Sequence, residues 1–135
     1  MGMFDALSIS GTGMTAQRLR MDVIASNLAN ADSSKGADGL PYRRRIVELS
    51  EASPSFGQLL GGVQVSGIVQ DPSPLRRVYD LSNPDADKQG YVSMPNVSPV
   101  TEMVDLIDSS RAYEANVTAM NAAKQMFTTT FNILR

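Results

Sequence analysis

The stretch MVDLIDSSRAYEANV, residues 103–117, opens a periodic pattern that continues almost to the last residue of the chain. Ten residues spaced alternately three and four apart are apolar except for Ser110 and Lys124. They are Met103, Leu106, Ser110, Tyr113, Val117, Met120, Lys124, Phe127, Phe131 and Leu134. This spacing is typical of a helix with one continuous apolar face. Ser98 suits the N-cap and Pro99 the first helical position, so we predict a helix over 99–134. At 1.5 Å per residue it spans about 54 Å, longer than a domain of this size is wide.

The beginning of the chain carries a second helical pattern. We predict a helix over 4–31, in which the same spacing runs along Met14, Gln17, Met21, Ile24, Leu28 and Ala31. Gly11 and Gly13 weaken its first part, so the pattern is strongest over 15–30, with Thr12 or Thr15 as cap. We predict that the two terminal helices pair as an antiparallel coiled-coil hairpin. The first is shorter, so about 10–15 residues of the second, around KQMFTTTFNIL, stay uncovered.

The region between the helices has a different composition. ADSSKGADGLP, residues 31–41, is rich in turn formers, and β-branched residues then alternate partially within YRRRIVEL and GVQVSGIVQ. Six of the seven prolines lie between positions 54 and 99, which argues against a regular sheet, and EASPSFGQLLGG is expected to be a mobile loop. The predicted fold is mainly α with a small β region (α+β). Residues 1–31 and 99–135 form one discontinuous helical domain, and 32–98 a partly irregular β and loop region.

Composition excludes several classes of function. The 135 residues include no cysteine and no histidine, so disulfides, Ser-His-Asp triads and the usual zinc sites cannot be built. We expect no enzyme, no cofactor and no metal. A net charge of −2 gives no reason to expect nucleic acid as a partner. The chain has no apolar run near the ~18 residues that a membrane span needs, and its start lacks the pattern of a secretory signal, so neither membrane insertion nor cleavage is expected.

Two short motifs invite a chemical interpretation. DADKQG, residues 85–90, places Asp85, Asp87 and Gln89 as a calcium loop would, but its twelfth position is Asn96 and not glutamate. We therefore expect a solvated turn. RRR, residues 43–45, suits phosphate contact only with more basic surface around it. A solvent-facing strand edge, or salt bridges to a neighbouring subunit, is the preferred interpretation.

Three longer motifs carry a family resemblance. TAQRLRMDVIASNLANADS, NPDADKQGYVSMPNV and EMVDLIDSSRAYEANVTAMNAAK together resemble the flagellar axial-protein family of rod and hook subunits, and within it the short proximal-rod type. Their order and position agree along essentially the whole chain. Rod and hook proteins often read ANxNTPGY after the first helix, whereas this chain has ANADSSKGADGLPY, as the proximal-rod type would.

The resemblance implies a structural subunit of the proximal rod of the bacterial flagellar basal body. Its end helices would line a tube that encloses the export channel and transmits torque, with a small outer region. The subunit would leave through the flagellar type III export apparatus without cleavage and lie in the periplasmic space of a two-membrane cell. Its partners would be other copies of itself and other rod proteins. The alternative is a soluble coiled-coil adaptor or export chaperone that binds a partner helix.

The resemblance also assigns roles to residues. Asn27 and Asn30 would end the first helix and turn the chain, although ordinary helix termination explains them equally well. The chain ends would be poorly ordered alone and fold when neighbouring subunits bury them. The predicted subunit-interface residues are Met14, Met21, Ile24, Leu28, Met103, Leu106, Ser110, Arg111, Tyr113, Val117, Met120, Phe127, Phe131 and Leu134.

Overall fold

A computed structural model describes residues 3–36, 38–52 and 61–133, apart from the side chains of Met3 and Phe4. The predicted α+β class is confirmed, since two terminal helices flank short antiparallel strands. Leu134 and most of the segment expected to be a mobile loop lie outside the described residues. The elements in chain order are α1 (Met3–Ala29), β1 (Arg45–Glu51), β2 (Val63–Gln70), β3 (Arg76–Tyr79), β4 (Tyr91–Met94) and α2 (Pro99–Ile133).

The first helix agrees with the pattern over 4–31, and it runs without a break through the part that the two glycines weaken. It begins at Met3 and contains both Gly11 and Gly13. A Cβ built on Gly13 would lie 3.0 Å from the side-chain nitrogen of Asn116, so this glycine allows α1 and α2 to approach closely. A glycine costs ~1 kcal/mol inside a helix relative to alanine, whereas any larger side chain at this position would press on Asn116. The predicted cap is wrong, because Thr12 and Thr15 donate instead to helix carbonyls three and four residues before them.

The two helices pack against each other in antiparallel orientation, which is the most extensive contact between elements of the described chain. Asn27 hydrogen-bonds Glu102, whereas Gly13 faces Asn116 near the middle of α2. The buried residues of α2 are seven or fourteen apart and small or polar: Glu102, Ser109 and Ala123. The side of α2 that meets α1 is therefore offset by one residue from the apolar stripe of the sequence, which begins at Met103. Small side chains let the two backbones approach, and the larger apolar residues lie beside this line, half-buried.

The strands form two separate antiparallel hairpins in the described residues. β1 pairs with β2 from Arg45↔Gln70 to Glu51↔Val63, and the register shifts between Glu48 and Leu49. This hairpin packs on α1 and buries Val47. β3 pairs with β4, and the connection between them closes at Gly90, whose φ of 82° favours glycine. In the described part of the chain, neither helix is both long enough and apolar enough to cross a membrane.

Candidate functional site

A cluster of hydrogen-bonded side chains lies where α1 ends, β1 begins and α2 begins. We call Asn27, Tyr42, Arg44, Glu102 and Asp105 the polar junction. It joins three segments that are distant in sequence, and it fixes how the β1–β2 hairpin sits on the helix pair.

Asn27 is the centre of the polar junction and is only 1% exposed. Its amide nitrogen donates to the carbonyl oxygen of Arg45 (2.8 Å) and to Oε2 of Glu102 (3.0 Å). Its amide oxygen accepts from the backbone N–H of Arg45 and from the hydroxyl of Tyr42, both at 2.9 Å. All four hydrogen-bonding positions of the amide are therefore used. Asn27 bonds both backbone groups of Arg45, as a neighbouring strand would.

Asn30 has a simpler role at the end of α1. Its side-chain nitrogen donates to the carbonyl oxygen of Ser26 at 2.8 Å, and its backbone N–H bonds the same carbonyl. Asn30 thus satisfies a carbonyl that the end of a helix would leave free. Asn30 therefore closes the end of α1, whereas Asn27 holds the β1–β2 hairpin.

Arg44 and Glu102 form an ion pair inside the chain. Glu102 has no exposed side-chain surface, and its Oε1 accepts from Nε of Arg44. Arg44 also donates to Asp105 at 3.1 Å and lies 3.8 Å from Asp71. Burial lowers the pKa of Arg44, but the hydrogen bond and charge of Glu102 outweigh it, so the pKa is raised and the guanidinium stays charged. The pKa of Asp71 is lowered, chiefly by hydrogen bonds from Ser73 and less by Arg44.

The prediction that 43–45 faces solvent or a neighbouring subunit is wrong for Arg44. The chain approaches β1 between the end of α1 and the start of α2, so Arg44 is the cation that neutralises the buried Glu102. Glu102 lies in the first turn of α2, where the helix dipole alone already favours a negative charge. The position of Ser98 does agree with an N-cap, since its carbonyl accepts the N–H of Glu102. Arg44 and Glu102 are 58 residues apart, so no short sequence motif indicates that their side chains meet.

The calcium-like motif forms a hydrogen-bonded turn. Asp85 accepts from Ser34 at 2.9 Å, and Asp87 accepts the backbone N–H groups of Gln89 (2.8 Å) and Tyr91 (2.9 Å). The bond from Tyr91, followed by those of Gln89 and Arg77, lowers the pKa of Asp87. Within the described residues, no three acidic side chains converge as a metal site requires. These carboxylates stabilise the connection between β3 and β4.

The predicted interface residues differ in exposure. Met103, Arg111 and Phe131 are exposed, Ile24 is buried, and Leu134 lies outside the described residues. Their contact with other subunits stays a prediction. The remaining nine are half-buried along the sides of the helix pair: Met14, Met21, Leu28, Leu106, Ser110, Tyr113, Val117, Met120 and Phe127.

Two exposed apolar patches on α2 add to this surface. The start patch is Val100, Val104 and Ile107, with exposures of 68%, 52% and 52%; their spacing puts them opposite Glu102 and Ser109. The apolar residues exposed around the last turns of α2, on more than one side of the helix, are called the end patch: Met126, Phe131 and Ile133, with exposures of 59%, 59% and 78%. The patches are about 40 Å apart along the helix. Exposed apolar patches mark interaction surfaces. The start patch has helical spacing in the sequence, but it was missed because only one apolar stripe was considered.

Comparison with known proteins identifies the family. The family model described as "Flagella basal body rod protein" matches residues 7–37. A second, described as "Flagellar basal body rod FlgEFG protein C-terminal", matches residues 88–133. The chain is similar to the flagellar basal-body rod protein FlgC of Bacillus subtilis, with 47% identity covering 91% of this chain and 92% of the relative. FlgC of Borreliella burgdorferi is 44% identical (100% and 99% covered), and FlgC of Salmonella typhimurium is 43% identical (98% of each).

These matches confirm the predicted rod family and do not favour the adaptor or chaperone alternative. The relatives that are similar over nearly the full length are basal-body rod proteins. The segments that the two family models match, 7–37 and 88–133, include most of α1 and all of α2. The chain therefore belongs to the FlgC family of flagellar basal-body rod proteins and is a structural rod subunit of the basal body.

Proposed function

We propose that this subunit forms part of the proximal rod by packing its two helices against other copies and other rod proteins. The assembled helices surround the export channel and share the torque, so that no catalytic step is needed. The observation that supports this most directly is the start patch, which faces away from α1 and has no cover within the described chain. The subunit reaches its place in the periplasmic space through the flagellar type III export apparatus and makes no contact with nucleic acid or the membrane interior.

The start patch suits a contact between subunits because nothing in its own fold hides it. Fully burying a side chain such as Val or Ile is worth roughly 1.5–3 kcal/mol, so three half-exposed residues contribute a few kcal/mol to each contact. A single such contact is weak, whereas many around a tube are strong together. A structure built this way distributes torsional load over all its helices.

The arrangement of the helix pair supports a coiled-coil hairpin as its mode of packing. Glu102, Ser109, Asn116 and Ala123 recur every seven residues on the side that meets α1. We assign 1–31 and 99–135 to one helical domain that packs in the tube, and 32–98 to the outer region. The polar junction holds the helices together at one end. The opposite end, which carries the end patch, becomes fully ordered when neighbouring subunits cover it.

Electron microscopy of basal bodies tests this proposal. A strain lacking the gene is complemented with the wild type, with Val104→Asp and Ile107→Asp together, or with Thr118→Asp, a control on the same exposed side of α2. We expect membrane rings without rods in the deletion and in the double variant, and rods in the other two. Complete rods in the deletion would contradict the proposed function. Rods in the double variant would show that the start patch is not a subunit contact.

A further inference from the structure

The β1–β2 hairpin has two open edges, and its hydrogen bonds show which backbone groups they present. Asp71 donates to the carbonyl of Arg44, and Ala52 donates to that of Gly62, which fixes the bonded pairs at both ends of the ladder. Because bonded and non-bonded pairs alternate, the groups of Val65, Ile68 and Gln70 point away from β1. By the same alternation, the groups of Val47, Leu49 and Glu51 in β1 point away from β2.

Helix α1 covers part of each edge. At one end, Asn27 bonds the outward N–H and C=O of Arg45. At the other, the hydroxyl of Thr12 accepts the outward N–H of Val63 at 3.1 Å. The hairpin therefore crosses α1 diagonally. The second half of β2 and the second half of β1 are left without a strand neighbour in the described part of the chain.

The β2 edge lacks the charged residues and prolines that usually prevent pairing. The segment 63–70 contains no charged residue and no proline, although charges and prolines commonly protect an exposed edge. Ile68 in β2 is 48% exposed and Leu49 in β1 is 38% exposed. Val47 and Ile68 are cross-strand partners, and Leu49 is two residues from Val47, so Leu49 and Ile68 lie on one face of the hairpin. The hairpin has only two strands and, among the described elements, packs on α1 alone, so an added strand would stabilise it further.

We infer that the β2 edge of one copy pairs with the β1 edge of a second copy of this chain, an inference that rests on the proposed rod function. β2 is antiparallel to β1 within a chain, and a rod subunit and its lateral neighbour point the same way, so β2 is also antiparallel to the neighbour's β1. The contact is head-to-tail and does not close between two copies, as a tubular assembly requires. An uncharged β2 edge meets the edge carrying Glu51 without placing like charges opposite each other.

Proline substitution tests the use of the edge. Ile68→Pro removes an N–H that points away from β1, so the hairpin within the chain is kept and only pairing with the neighbour is lost. Ile68→Thr is the matched control, since it keeps the N–H and a β-branched side chain. In the complemented deletion strain, we expect Ile68→Pro to lower the number of rods per basal body at least tenfold and Ile68→Thr to leave it unchanged. Equal rod numbers in both strains would overturn the inference.

Cysteine cross-linking identifies the occupant, because the chain has no cysteine of its own. Cells that carry both Leu49→Cys and Ile68→Cys in the same chain should give disulfide-linked multimers in isolated basal bodies, whereas each single variant should give none. Dimers from Ile68→Cys alone would mean that two β2 edges meet, and they would overturn the head-to-tail contact. No multimers in basal bodies that contain the double variant would also overturn it. Absence of the chain from basal bodies would instead contradict the proposed function.

Discussion

Replacing Arg44 by methionine is expected to destabilise the chain strongly, because it leaves the carboxylate of Glu102 buried with one partner. Glu102 has no exposed side-chain surface and receives hydrogen bonds only from Arg44 and Asn27 among the described groups. Removing one member of a buried ion pair costs about 3–5 kcal/mol. The side chain of Asp105 is 36% exposed, so water replaces Arg44 as its partner. The lost Arg44–Asp105 ion pair therefore adds only about 0–1 kcal/mol to the destabilisation.

Urea denaturation followed by far-ultraviolet circular dichroism measures this cost. At a slope of about 1.5–2 kcal/mol per M, a loss of ~3 kcal/mol lowers the midpoint by roughly 1.5–2 M. Arg43→Met is the matched control. Arg43 donates to the carbonyls of Asp71 and Ser73, which also accept from Asn96, so its loss should cost under about 1 kcal/mol.

A double variant separates the ion pair from general packing. Arg44→Met with Glu102→Gln removes both charges and leaves no buried ion, so we expect most of the lost free energy of unfolding to return. The reasoning is refuted if Arg44→Met costs no more than Arg43→Met. It is also refuted if the double variant is less stable than Arg44→Met alone, since the charge of Glu102 would then not be the cause.

Three further predictions concern the helices and the turn. Gly11→Ala should raise the free energy of unfolding by about 0.5–1 kcal/mol, because the added Cβ has room. Gly13→Leu should lower the free energy of unfolding by about 1–3 kcal/mol, because the new side chain presses on Asn116. Urea midpoints in the opposite order would contradict this prediction. Hydrogen bonds lower the pKa of Asp87 in the folded chain. The charged carboxylate therefore stabilises the fold above the unfolded pKa, near 4, and this stabilisation is lost as the pH falls through the folded pKa. Asp87→Asn should lower the urea midpoint at pH 7 and leave it unchanged near pH 2. Phe131→Asp removes an edge-on ring contact with Phe127 and should lower the urea midpoint of the free chain only slightly, but it should abolish co-sedimentation with assembled rod proteins. Normal co-sedimentation would count against the end patch.

Local patterns in the sequence predicted the elements well. The spacing of apolar residues indicated both terminal helices, and turn formers and prolines indicated short strands between them. The pattern was weaker before residue 15 because glycine lowers helix propensity, and only the distant Asn116 shows why Gly13 is tolerated in α1. A contact across more than a hundred residues has no local signature.

The polar junction was unpredictable for the same reason. Arg44 and Glu102 are 58 residues apart, and each has an ordinary local explanation, one in a basic run and the other in the first turn of a helix. Asn27 was recognised as part of a motif, but its bonds to Arg45 depend on where β1 lies. The motifs thus identified the family, whereas the geometry that holds the subunit together required the folded structure.

The small residues between the helices have a consequence for how the subunit is delivered. Gly13, Ser109 and Ala123 bring two backbones together while burying few large side chains. Burying little apolar surface means that little free energy is needed to separate the helices again. The proposed export through a narrow conduit requires the subunit to unfold first, and a helix pair held by small contacts needs little free energy to unfold. In the proposed rod, the same interface would gain its strength from neighbouring subunits and not from its own interior.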